Sequence, residues 1–141
     1  MESPQPKLSP IAFVDDDEFE RAIARECYAM TGLTNPWLEY SSGGELLKHL
    51  ERVQLGLEVM PRLVVCDVNM GQMGGFGLVE AARGVSALGG RPPIVLVSSS
   101  VHPRDRTAAF HAGANDYQAK PANIDQYAAF LTRMIAEHGT P

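Results

Sequence analysis

Four short stretches of this sequence carry side chains suited to one kind of chemistry. Asp15-Asp16-Asp17 follows the apolar run Ile11-Ala12-Phe13-Val14, and Asp67 follows Leu63-Val64-Val65-Cys66. Ser98-Ser99-Ser100 follows Ile94-Val95-Leu96-Val97, and Lys120-Pro121 follows residues 116–119. If the first and third runs lie side by side, Asp15, Asp16 and Asp67 converge. Three carboxylates that close repel one another, and one holds a proton unless a cation is present. Oxygen ligands with room for water suit a hard divalent ion, Mg²⁺. Lys120 adds an ammonium and Ser98 a hydroxyl donor. Such a set fits phosphoryl transfer: the metal and the lysine neutralise phosphoryl oxygens while a carboxylate attacks in line. Taken singly, Asp17 reads as a helix cap, Lys120-Pro121 as a turn and Ser98–Ser100 as loop. Their joint placement at one edge is what folding alone does not require.

The elements that position these residues are legible as alternating runs. After the first run, Phe19, Ala22, Ile23, Cys27 and Met30 recur at helical spacing, and Gly32 can end that helix. Trp37–Tyr40 is a weaker strand. Ser42-Gly43-Gly44-Glu45 fits a capping box ahead of Leu46, Leu47, Leu50 and Val53. A loop with Gly71, Gly74 and Gly75 leads to Phe76, Leu78, Val79, Ala82 and Val85, and Gly89-Gly90 stops that pattern. Pro103 suits the first turn of a fourth helix and Gly113 its C-terminal cap. Asn123 can cap a last helix that buries Ile124, Tyr127, Leu131, Met134 and Ile135. Five βα units with fully apolar strands imply an α/β fold, a parallel sheet covered on both faces. In such sheets ligands bind beyond the carboxyl ends of the strands, where the four chemical stretches lie.

Composition narrows the field. The chain has 141 residues, enough for one domain with its own core. Its 12 Lys and Arg against 17 Asp and Glu give a net charge of −5, which argues against a nucleic-acid-binding surface. No apolar run is long enough for a membrane span, and no h-region marks a signal peptide. Cys27 and Cys66 sit in apolar contexts and read as free thiols of a reducing compartment, so a cytoplasmic setting is expected. Residues 1–8 read as a flexible tail, 9–138 as the domain and 139–141 as a short C-terminal tail.

The sequence resembles the receiver domain of two-component response regulators. The likeness rests on Phe13-Val14-Asp15-Asp16-Asp17, Val65-Cys66-Asp67-Val68-Asn69-Met70, Val97-Ser98-Ser99, and Ala112-Gly113-Ala114-Asn115-Asp116-Tyr117 leading into Lys120-Pro121. It covers roughly residues 9–137. The resemblance implies a flavodoxin-like (βα)5 fold, doubly wound, with strand order 2-1-3-4-5. It implies that Asp67 is the phosphoacceptor for a histidine kinase or histidine phosphotransfer protein. Asp16, Asp67 and the carbonyl of Asn69 would bind Mg²⁺ directly, and Asp15 through water. Ser98 would bond the phosphoryl group, and Lys120 would pair with Asp67 before transfer and with the phosphoryl group after it. Pro121 would set its loop by a cis Lys-Pro bond. Tyr117 stands at the aromatic switch position and would rotate into space that Ser98 vacates, altering the face of the fourth helix, fifth strand and fifth helix. With no output domain in view, a stand-alone signalling receiver with a downstream protein target is expected, not an enzyme and not a nucleic-acid or membrane binder.

Some residues depart from the family pattern. Gly71 stands where Pro is common and Gly74 where Asp is common, which widens backbone freedom after the third strand. Ser98 replaces the commoner Thr, and Asn69 and Ser100 occupy the positions that tune phosphoryl hydrolysis. A receiver fold that binds a partner without phosphorylation is one alternative. A small phosphatase of the haloacid dehalogenase type, using Asp15 and Asp17 as an Asp-x-Asp pair, is another, but it leaves Asp67 unexplained. His49, His102, His111 and His138 show no ligand spacing. His102 reads as loop packing, and Trp37 as core or interface.

Overall fold

The computed structural model describes residues 8–71 and 73–140. Its strands are β1 (Ile11–Val14), β2 (Trp37–Tyr40), β3 (Leu63–Asp67), β4 (Ile94–Ser98) and β5 (Asp116–Ala119). Its helices are α1 (Glu18–Ala29), α2 (Gly43–Gln54), α3 (Gly74–Arg83), α4 (Pro103–Ala112) and α5 (Ile124–His138), with a 3-10 turn at Ser86–Leu88. All strand pairs are parallel, in the order β2-β1-β3-β4-β5, as expected. The expected N-terminal tail, apart from Leu8, lies outside the described residues, as does Pro141. Thr140 N–H donates to Arg62 O at 3.0 Å, so the chain just past α5 is pinned beside the start of β3.

Strand side chains alternate between two cores. Ala12, Val14, Val64, Cys66, Ile94 and Leu96 face the layer of α2, α3 and α4. Ile11, Phe13, Leu63, Val65, Val95 and Val97 face α1 and α5. All twelve are buried. Each fully buried Val, Leu or Ile contributes roughly 1.5–3 kcal/mol, so the three central strands anchor the fold.

Three apolar residues read as core are surface residues: Phe19, Ile124 and Met30. Phe19 is 71% exposed and Ile124 54% exposed. Each stands in the first turn of its helix, beyond the strand ends, where no sheet lies beneath it. Met30 is likewise exposed, being the C-cap of α1. The α1 face that packs is Ala24, Cys27 and Tyr28. Val85 falls past the end of α3, which stops at Arg83. Trp37 is half-buried, stacked on Tyr28 and Phe13. His49 is a core histidine between Tyr40 Oη and Val59 O.

Candidate functional site

The register of the sheet gathers the acids. β1 and β3 pair Phe13 with Val65. Two residues on, the same face carries Asp15 and Asp67 at the carboxyl ends of adjacent strands. Asp67 closes β3 and Ser98 closes β4. The Lys120 amide donates to Ser98 O at 2.9 Å, which brings the residue after β5 to the same edge.

Asp15, Asp16 and Asp67 each offer a carboxylate oxygen within 4.8 Å of the others. Asp15 is 1% exposed and Asp67 4%, whereas Asp16 opens to solvent. Lys120 Nζ lies 3.4 Å from Asp67 Oδ2 and 3.8 Å from Asp15 Oδ2. Asp15 Oδ1 accepts from Asp17 N at 2.9 Å, but Asp15 Oδ2 is buried with no hydrogen-bond partner. Burial pushes the Asp15 carboxyl up to about 6, and nearby Asp67 adds to the effect. The Asp17 amide and Lys120 oppose it. Burial works against the Lys120 charge, but Asp67 and Asp15 outweigh it and hold the ammonium above its ordinary value. One ammonium shared among three carboxylates leaves the cluster short of positive charge. An orphaned buried oxygen in an all-oxygen donor set fits a hard divalent cation.

Asp17 is spent elsewhere, as expected. Its exposed side chain caps α1, accepting from Phe19 N at 2.9 Å. It therefore does not supply the second acid of an Asp-x-Asp pair. Cys66 points away from the acids into the α2–α3 core, and burial pushes its thiol well up. Asn69 N donates to Asp67 Oδ1 at 3.3 Å, so the loop folds back over the acid. Gly71 and Gly74 have φ of +47° and +64°. Pro cannot adopt the first of these and Asp adopts the second at a cost, so glycine is the residue that fits each position.

The neighbouring half of the site is fully bonded. Ser98 Oγ donates to Ser100 O at 2.9 Å and accepts from Ser100 N at 3.1 Å. Tyr117 Oη donates to the same carbonyl at 3.2 Å. Tyr117 is 1% exposed and tilts against Phe76. The ring is already inside, so the expected inward rotation is not available from this conformation. The Lys120–Pro121 bond is trans, against expectation; the cis peptide among the described residues is Arg91–Pro92. The Lys120 amide, donating to Ser98 O, extends the β4–β5 ladder one residue past β5. His102 is an exposed N-cap of α4, accepting from Arg104 N, not a packed loop residue.

Sequence reasoning missed two groups. Arg21 Nη1 donates to Asp15 O at 2.6 Å. Asp116, buried at the start of β5, accepts from Tyr117 N, Gln118 Nε2 and His138 Nε2, with Arg106 Nη2 at 3.6 Å and Glu137 close by. Neither carries a sequence signal, because the partners come from separate elements.

No helix among the described residues is long and apolar enough to cross a membrane. The chain is 28% identical over 133 residues to the two-component response regulator ORR41 of Oryza sativa subsp. japonica, covering 90% of this chain and 94% of that protein. It is also 28% identical to the sensor histidine kinase CheAY of Helicobacter pylori, covering 98% of this chain but 17% of that longer protein. Its fold superposes with a TM-score of 0.80 on the response regulator RPA3017 in red light signaling of R. palustris, covering 90% of this chain and 91% of that one at 23% identity. The family profile of the response regulator receiver domain matches residues 11–132, and the chain belongs to that family.

Proposed function

We propose that this receiver accepts a phosphoryl group on Asp67 from a histidine kinase or histidine phosphotransfer protein, in a Mg²⁺-dependent reaction. The observation that carries the reading is the buried Asp15 oxygen that accepts no hydrogen bond, in an acid cluster that Lys120 alone does not neutralise. Asp16, Asp67 and the Asn69 carbonyl would hold the ion, with Asp15 bound through water. When present it lowers the charge repulsion between the carboxylates and an incoming phosphoryl group. A carboxylate oxygen of Asp67 attacks the phosphorus in line. The new P–O bond forms as the P–N bond to the donor imidazole breaks, and the imidazole leaves with the electron pair and takes a proton from water. Lys120, freed from Asp67, pairs with a phosphoryl oxygen.

Readout follows from a shared acceptor. Ser98 and Tyr117 both donate to Ser100 O. A Ser98 hydroxyl turned toward the phosphoryl group leaves Tyr117 as the sole side-chain donor to that carbonyl. Arg106 of α4 donates to Tyr117 O at 2.8 Å, and His138 of α5 holds the adjacent Asp116. A shift at Tyr117 therefore reaches the α4-β5-α5 face, whose changed shape selects a downstream protein target. Receiver domains are signalling modules, and the output here is altered partner binding rather than substrate turnover. Its setting is the cytoplasm, where two buried cysteines stay reduced.

The test is intact-protein mass after incubation with a small-molecule phosphodonor, with and without Mg²⁺. One added phosphoryl group in the wild type with Mg²⁺, and none in Asp67→Asn, is the expected result. An unmodified wild type in the presence of both the donor and bound Mg²⁺ would overturn it and favour a phosphorylation-independent interaction module.

A further inference from the structure

Arg21 lies in the second turn of α1 and reaches back to the end of β1. Its Nη1 donates to the main-chain carbonyl of Asp15 at 2.6 Å. That length is at the strong end for a charged donor on a carbonyl. Its Nε stands 3.9 Å from Glu39 Oε1, and both side chains are largely buried. Glu39, on β2, is held in turn: its Oε2 accepts from Arg25 Nη1 at 3.0 Å and from Trp37 Nε1 at 3.1 Å. Two elements flanking β1 thus clamp one carbonyl.

That carbonyl belongs to the peptide joining Asp15 to Asp16. Fixing its plane fixes the direction in which the exposed Asp16 side chain leaves the backbone. Charge alone gives Arg21 no reason to be there, since a cation beside an acid cluster opposes the binding of a divalent ion. Glu39, which it shares with Arg25, offsets part of that charge, so the hydrogen bond comes with a reduced field. We propose, resting on the Mg²⁺-site reading above, that Arg21 is a positioning residue for cation binding, with Glu39 as its counter-charge.

The competing accounts give different signs. A plain ion pair joining α1 to β2 affects stability and leaves Mg²⁺ affinity alone. A purely electrostatic Arg21 weakens binding, so its removal tightens it. The experiment is calorimetric titration of Mg²⁺ into wild type, Arg21→Gln, Arg21→Lys, Glu39→Gln and the Arg21→Gln/Glu39→Gln double variant, with thermal melting of each. Positioning predicts that Arg21→Gln weakens Mg²⁺ binding roughly tenfold, in the range of other residues that orient metal ligands. Arg21→Lys keeps the charge but lacks the fork that spans Asp15 O and Glu39, so it weakens binding too. Glu39→Gln weakens binding, and the double variant is no worse than Arg21→Gln because the two act as a unit. Folded Arg21→Gln with wild-type or tighter affinity, or Arg21→Lys with wild-type affinity, would overturn the proposal. Should Arg21→Gln fail to fold, Arg21→Lys decides it by the same affinity criterion, because it keeps the charge and removes only the fork. A wild type that takes up no Mg²⁺ would overturn the metal-site reading and this role together, whereas variants matching a binding wild type would overturn only the role of Arg21.

Discussion

Asp15 and Asp116 are both buried aspartates at strand ends of one parallel sheet, yet their surroundings pull them in opposite directions. Asp15 keeps one oxygen without a hydrogen-bond partner, and its carboxyl is pushed up to about 6, chiefly by burial. Burial acts on Asp116 as well, but hydrogen bonds from Gln118, His138 and the Tyr117 amide outweigh it and hold the carboxyl below its ordinary value. Asp116 already has its hydrogen-bond donors, supplied by β5 and α5, with Arg106 of α4 beside it. Asp15 has a share of one lysine. Both clusters bring three potential metal ligands together, Asp15-Asp16-Asp67 and Asp116-Glu137-His138. The two clusters therefore match in ligand count and differ in how far their polar atoms are satisfied.

The sharpest way to break the comparison is to remove each acid. Asp116→Ala strands buried donors and should cost about 3 kcal/mol in urea denaturation, most of it from lost hydrogen bonds because Arg106 is half-exposed. Asp15→Asn should do the reverse, raising metal-free stability at pH 7.5 by about 2 kcal/mol, since the folded protein no longer carries an unfavourable buried charge. A loss of stability in metal-free Asp15→Asn would break the contrast.

The pH dependence sharpens it. For Asp15 the folded pKa of about 6 exceeds the ordinary 3.8, so the native state holds its proton longer than the unfolded chain. Its contribution to metal-free stability falls as pH rises from about 4 to 6. Asp116 has the opposite sign: its stabilisation is present above its ordinary 3.8 and fades as pH falls below that value. Denaturation midpoints across this range, for wild type and each Asn variant, should show each slope vanish with its residue. The smallest effect is that of Tyr117→Phe. Losing one hydroxyl on Ser100 O should cost about 1 kcal/mol or less, because Ser98 still bonds that carbonyl. A larger loss would mean that the tyrosine hydroxyl, not Ser98, holds the loop.

The contrast also explains what could be read in advance. Asp15, Asp67, Ser98 and Lys120 were legible because each follows a fully apolar strand, and parallel sheets put all such ends on one edge. The role of Asp116 was not, because it depends on His138, 22 residues away on α5, and on Arg106 of α4. Arg21 was hidden for the same reason: its partners are a main-chain carbonyl and Glu39 of β2. Helical spacing placed Phe19 and Ile124 in the core, since periodicity reports a face but not where the sheet beneath it ends. Gly71 and Gly74 read as freedom, and each sits at a positive φ, which a glycine in the sequence permits but does not by itself require.

The most direct test of the account is the denaturation midpoint with and without Mg²⁺ at pH 7.5, for wild type, Asp15→Asn and Asp116→Asn. An ion that binds only the folded state raises the midpoint. The account predicts a rise in wild type and in Asp116→Asn, and a much smaller one in Asp15→Asn. An equal rise in Asp15→Asn, or a rise that disappears in Asp116→Asn, would contradict it.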